Sequence, residues 1–153
     1  MLKQGDAAPD FELPDQDGNL VSLAPLLAKG PLLLYFYPAD FTPGCTKEAC
    51  SFRDMHSELT NEGLQIVGVS PQNSASHERF RSRYQLPFTL LADPDKRVIR
   101  AYGCDGPLGI GVRRRTFHID AHGIIRNIVT ADFFIQRHVN FALDAAHKKE
   151  GQS

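Results

Sequence analysis

With 153 residues, the chain has room for one domain around a hydrophobic core and too little for two. Hydrophobic residues make up 42% and charged residues 23%, and the formal net charge of -1 gives no global field to draw in nucleic acid or an acidic membrane. The longest apolar run, Pro31 to Tyr37, is far too short to span a bilayer, and Met1 to Leu13 lacks the apolar segment of a signal peptide.

Residues 10–23, DFELPDQDGNLVSL, read as two short strands around an Asp-Gly turn. PLLLYFY (31–37) is a continuous apolar run bounded by proline, the pattern of a central strand buried on both faces. After Pro43-Gly44, helical spacing of Ala49, Phe52, Met55 and Leu59 predicts a helix over 46–59, stopped by Gly63. LQIVGVS (64–70) is a second buried strand. SASHERFRSRYQ (74–85) is a helix, with Ser74 or Ser76 expected as its N-cap. FTLLAD (88–93) is a strand, and Pro94 is placed to open a short helix through Tyr102. RRTFHID and IIRNIVT flank Ala121-His122-Gly123 as a hairpin. Ile135, Val139, Ala142, Leu143 and Ala146 form one face of a closing helix, and the charged tail beyond it is expected to fray.

This order, β-β-β-α-β-α-β-α-β-β-α, implies an α/β fold: a mixed central sheet with helices on both faces and an N-terminal β-hairpin. Sites in such sheets lie beyond the carboxyl ends of the strands. The loop from Pro38 to Gly44 leaves the 31–37 strand at that end and delivers Cys45 to the start of a helix. Unsatisfied N–H groups and the helix dipole favour an anion there, and a thiolate is one. Thr42 brings a hydroxyl near Cys45, able to donate to a thiolate or a substrate oxygen, while Pro38 and Pro43 stiffen the loop. The plainer reading weighs equally on these features alone, since Thr-Pro-Gly is an ordinary turn signal and a free cysteine is often a small buried hydrophobe.

Three cysteines are an odd number, so reduced thiols in the cytoplasm are expected, with any disulfide transient. Cys50 follows Cys45 by five positions. In a helix such residues lie roughly 8–9 Å apart at Cα and point about 140° away from each other, whereas a disulfide needs about 5.5–6 Å. The pair is therefore either unbridged or a switch between a helical dithiol and an unwound disulfide. A zinc site would need Cys104 and a histidine to complete it, since no second Cys pair follows, so no metal is expected; C-x-x-C is absent, and with it the direct dithiol oxidoreductase motif. His56, His77, His138 and His147 lie among polar residues on predicted helices and read as surface, while His118 and His122 straddle the hairpin without a third ligand.

YPADFTPGCTKEACSFRD closely resembles the active-site segment of peroxiredoxins of the Q type, also called bacterioferritin comigratory proteins. Pro38, Thr42 and Cys45 match the P-x-x-x-T-x-x-C pattern, and Cys50 matches the resolving cysteine five residues on. GDAAPDFELPDQDGNLVSL and RRTFHID extend the resemblance over nearly the whole chain. It implies a thioredoxin-like fold over residues 1–153, no cofactor, and reduction of hydrogen peroxide and organic hydroperoxides. On that pattern Cys45 becomes a sulfenic acid, Cys50 resolves it as a disulfide, and a thioredoxin-type dithiol restores the thiols. A monomer is also implied. Arg114 matches the arginine of the family's R-x-x-F strand against Phe117, with Arg113 and Arg115 beside it as solvated neighbours. Glu48 and Arg53 recur as an ion pair or a salt-bridged helix face. Cys104 reads as a bystander, with an alternative resolving role open to it. The competing reading is a thioredoxin-fold module that senses oxidants without turnover.

Overall fold

Residues 1–132 and 135–147 are described by a computed structural model. The charged tail expected to fray lies outside them. The strand expected to be buried on both faces is β3, as the third of the strands β1 (Glu12–Pro14), β2 (Leu20–Ser22) and β3 (Leu32–Phe36). All five of its residues are buried. Strand alternation divides them: Leu33 and Tyr35, with Tyr37 just beyond, enter one core cluster, and Leu32, Leu34 and Phe36 enter the other.

Five strands form the main sheet, in the order β5-β4-β3-β6-β7. β4 (Gln65–Ser70) and β5 (Thr89–Ala92) extend it in parallel, while β6 (Arg115–Ile119) and β7 (Ile125–Thr130) are antiparallel. β1 and β2 pair separately as the N-terminal hairpin. One face of the sheet carries α2 (Pro43–Asp54), α3 (His56–Asn61), α4 (Ser74–Tyr84) and α6 (Ile135–His147); α1 (Leu23–Leu27) and α5 (Arg97–Ala101) cover the other. The mixed sheet with helices on both faces is therefore as the element order implies.

Four local departures have local causes. α1 was not expected, because five residues containing Pro25 are too few to show a period. The helix expected over 46–59 begins at Pro43 and breaks at Met55, whose φ of -101° and ψ of 7° leave the helical region; Phe52, Met55 and Leu59 keep one buried stripe across the break. The N-cap of α4 is Asn73, whose side chain accepts from the Ser76 N–H at 2.8 Å. α5 starts at Arg97 rather than Pro94, because Lys96 sits in the left-handed region and the Asp93 carboxylate takes the Ile99 N–H at 2.8 Å.

Gly68 of β4 lies opposite Tyr35 in β3. A Cβ there would stand 2.8 Å from the Tyr35 ring and 3.0 Å from Leu90. Both neighbours are buried core, so Gly68→Ala is expected to destabilise the fold by about 1–3 kcal/mol. A urea unfolding series measures it; an unchanged midpoint would mean that the Tyr35 ring can shift freely.

Candidate active site

Thr42 is the N-cap of α2, Pro43 opens its first turn, and Cys45 is its third residue. The Thr46 N–H already bonds the Thr42 carbonyl at 2.8 Å, and the Thr42 side chain makes no cap. Cys45 therefore lies in the turn whose N–H groups have no helical partner and whose dipole end is positive. The thiol is only 1% exposed. It belongs to the same core cluster as Tyr35, Tyr37, Ala49 and Phe52.

A cation comes to it from 69 residues away. Arg114, just before β6, donates from Nη2 to Cys45 Sγ at 3.3 Å and from Nη1 to Glu48 Oε1 at 2.7 Å. Its backbone and Nε are held by Asp132, through Oδ1 at 2.9 Å and the main-chain carbonyl at 3.4 Å. Gly44 makes room for the guanidinium: a Cβ at that position would lie 3.2 Å from Arg114 Nη2. The guanidinium is thus fixed across the thiol by one carboxylate below it and one loop beside it. Such a fixed cation stabilises negative charge on sulfur or on an oxygen next to it.

Glu48 is fully buried, and burial pushes its carboxyl up to about 7 against the pull of Arg114. Its Oε2 has no hydrogen-bond partner among the described residues; His138 Nδ1 stands 3.7 Å away, occupied with the Thr116 hydroxyl at 2.8 Å. His138 Nε2 faces the Ala131 carbonyl at 2.9 Å, and burial lowers its proton affinity, with Arg114 adding to the effect.

The raised Glu48 carboxyl has a consequence for stability. Between its ordinary 4.5 and about 7, the folded protein keeps a proton that the unfolded chain has released. Stability therefore falls as pH rises through that window and levels off above it. Glu48→Gln is expected to flatten this slope, read from urea midpoints at about pH 4.5, 6 and 7.5. Parallel curves for the two proteins would contradict the assignment.

A cleft of about 730 Å³ is lined by Pro38, Thr42, Gly44, Ile110, Val112 and Arg114, among others; Cys45 does not line it but lies behind Arg114, which does. Pro38, Thr42 and Arg114 thus meet at the mouth of the Cys45 site. The Thr42 hydroxyl donates to the Ala39 carbonyl at 2.9 Å rather than to the sulfur, so its proton is committed to shaping the loop.

Cys50 is half-buried one and a half turns further along α2, and all three cysteines are free. Helical backbone runs from Cys45 to Cys50, so the two thiols are apart in this state. Cys104 belongs to the core cluster on the opposite face of the sheet from Cys45, and burial pushes its thiol up to about 12. That position favours the bystander reading.

Several expectations need correction. Glu48 and Arg53 do not pair: five positions apart they diverge around the helix, and Arg53 instead bonds Asp54 at 3.0 Å and the Tyr84 carbonyl at 2.9 Å. Of the arginines beside Arg114, only Arg113 is solvated, paired with Asp132 at 3.4 Å. Arg115 is buried, bonded to Thr130 and the Gly103 carbonyl, with its guanidinium 5.5 Å from the Phe117 ring centre. His77 and His138 are fully buried, not surface. Their signal was present in the sequence: His77 lies three before Phe80, and His138 falls between Ile135 and Ala142 on the buried stripe. Asp132 and Asp40 were missed, because their contacts to Arg114 and His77 cross the sequence.

The AhpC/TSA family matches residues 4–128. The chain is 41% identical over 143 residues to the chloroplastic peroxiredoxin Q of Oryza sativa subsp. japonica, covering 93% of this chain and 65% of that relative's length. The crystal structure of the peroxidoxin BcpB from Mycobacterium tuberculosis is 38% identical, with a TM-score of 0.89, over 95% of this chain and 97% of that one. A bacterioferritin comigratory protein of Xanthomonas campestris, described with trapped intermediate and ligand complexes of alkyl peroxide reduction, is 28% identical with a TM-score of 0.83, over 95% of this chain and 94% of that one.

Proposed function

Because the chain belongs to the AhpC/TSA family, and within it to the thioredoxin-fold peroxiredoxins of the Q type, we propose that it is a thiol-dependent peroxidase acting on hydrogen peroxide and organic hydroperoxides. One observation carries this reading: Arg114 Nη2 stands 3.3 Å from the sulfur of Cys45, at a helix N-terminus behind an open cleft. The Cys45 thiolate attacks the terminal oxygen of the hydroperoxide. The O–O bond breaks, its electron pair leaves with the alkoxide or hydroxide, and that oxygen takes a proton to become alcohol or water. Cys45 is left as a sulfenic acid. Arg114 faces the sulfur and the charge that develops beside it. Pro38 walls the cleft. The Thr42 oxygen, its proton committed to Ala39, keeps lone pairs free to accept from the hydroperoxide O–H.

Cys50 then attacks the sulfenic sulfur, expelling water and forming a Cys45–Cys50 disulfide, which a thioredoxin-type dithiol reduces by exchange. The helical spacing of the two cysteines requires α2 to unwind first. Three cysteines, an odd number, fit reduced thiols in the cytoplasm, and we propose that the protein works there as a monomer.

The test is peroxide consumption coupled to NADPH through thioredoxin and thioredoxin reductase. Sustained turnover, with peroxide consumed far beyond the enzyme present, is the expected result. Consumption that stops at one equivalent would instead favour an oxidant-sensing module.

A further inference from the structure

The loop that shapes the site, Pro38 to Thr42, is short of regular backbone support. Phe41 within it has a φ of +67°, a left-handed conformation that costs a side-chain-bearing residue about 1–2 kcal/mol. Something must hold it. Asp40 is the one carboxylate of the loop, and its side chain is completely buried. Oδ1 accepts from the Tyr37 hydroxyl at 2.7 Å; Oδ2 accepts from the Ser76 hydroxyl at 2.7 Å and faces His77 Nδ1 at 2.7 Å.

His77 is also completely buried, and its other nitrogen, Nε2, faces the Leu91 carbonyl at 2.9 Å. A carbonyl oxygen accepts only, and so does a carboxylate. A neutral imidazole has one N–H and can satisfy just one of these two partners; an imidazolium satisfies both. Tyr37 is the other titratable group against the ring, at 3.4 Å, and burial holds its phenol protonated. Burial alone would raise the Asp40 carboxyl, but the bonds and charge of His77 and the hydroxyls of Tyr37 and Ser76 bring it below the ordinary range.

The geometry points to His77 as a buried imidazolium that grips Asp40 and thereby fixes the Pro38–Thr42 loop in front of Cys45, a positioning residue for attack on peroxide. His77 belongs to α4 and its carbonyl partner to β5, so the clamp ties the loop to the rigid sheet and to a helix outside the site. Its bonds do not involve α2, so α2 can unwind without releasing them. Its role in catalysis rests on the peroxidase reading above; the clamp itself does not.

The test combines three readouts on full-length protein. Nitrogen NMR of histidine-labelled wild type is expected to show both His77 ring nitrogens protonated at neutral pH, the signal being identified by its loss in His77→Phe. Amide exchange of residues 39–42 is expected to quicken in His77→Phe and to be largely restored in His77→Asn, which returns a donor toward Asp40. The rate of Cys45 oxidation by hydrogen peroxide is expected to fall about tenfold or more in His77→Phe, as a displaced site would, with most of it recovered in His77→Asn. An unprotonated ring nitrogen in the wild type would overturn the imidazolium. Unchanged exchange and oxidation in His77→Phe, or equal defects in both variants, would overturn the positioning role. If the wild type consumes no peroxide, the peroxidase reading fails, and the nitrogen signals and loop exchange still decide whether the clamp exists.

Discussion

Arg114→Gln is expected to slow oxidation of Cys45 by hydrogen peroxide by about 10²–10³-fold, the cost of removing one fixed donor from a developing anion. The guanidinium is the one side chain that reaches Cys45 Sγ by a described hydrogen bond, and it is almost wholly buried, so water cannot replace it readily. Glutamine is shorter and neutral. It cannot reach both the sulfur and Glu48. Breaking a buried ion pair usually destabilises by about 3–5 kcal/mol, because the partner is left charged without compensation. Here the loss is expected to be smaller at neutral pH, since Glu48 is already pushed up to about 7 and takes a proton once Arg114 is gone. The variant should therefore fold and still be slow. Arg126→Gln is the control: its pair with Asp120 is partly exposed and away from the cleft, and its loss should change the rate within about twofold. With no tryptophan in the chain, competition against a haem peroxidase for limiting peroxide is the suitable rate measurement. Equal rates for wild type and Arg114→Gln would remove Arg114 from the mechanism.

Cys50→Ser is expected to lose thioredoxin-driven turnover by about two orders of magnitude or more, because an external thiol must then replace a neighbour held on the same helix. Oxidation of Cys45 itself should continue, giving a burst of one equivalent followed by a stall. The trapped product is a sulfenic acid on Cys45, captured by dimedone and located by mass spectrometry. Cys104 offers no substitute: it lies on the other side of the sheet, wholly buried, with its thiol pushed up to about 12. Full turnover in Cys50→Ser, together with its loss in Cys104→Ser, would reverse the assignment.

How much of this was legible beforehand follows from the range of each interaction. Local patterns carried well. The apolar run 31–37 announced β3, the apolar spacing of α6 announced a helix, and the family resemblance of the segment holding Pro38, Thr42 and Cys45 pointed to the candidate site. Arg114 was identified through its family-like setting beside Phe117, but nothing in the chain order could tell that Glu48 pairs with Arg114 rather than with Arg53, since the contact spans 66 residues. His77 and His138 show a different failure. Both are fully buried, although the polar residues around them on their helices pointed to the surface. A histidine at core spacing is a statement that something buried will meet its nitrogens. Asp40 and Thr116 are those partners, and they come from the loop before α2 and from β6. The break at Met55 stayed hidden because the apolar stripe runs through it unbroken.

The central claim is that Cys45 takes the oxygen and Cys50 closes on it. One equivalent of hydrogen peroxide added to fully reduced protein, followed by intact mass and a peptide map, tests it most directly. The expected product is two mass units lighter than the dithiol, about 2 Da for the loss of two hydrogens, with the Cys45 and Cys50 peptides joined and Cys104 free. Thiols left untouched, or a bridge that excludes Cys45, would contradict the account.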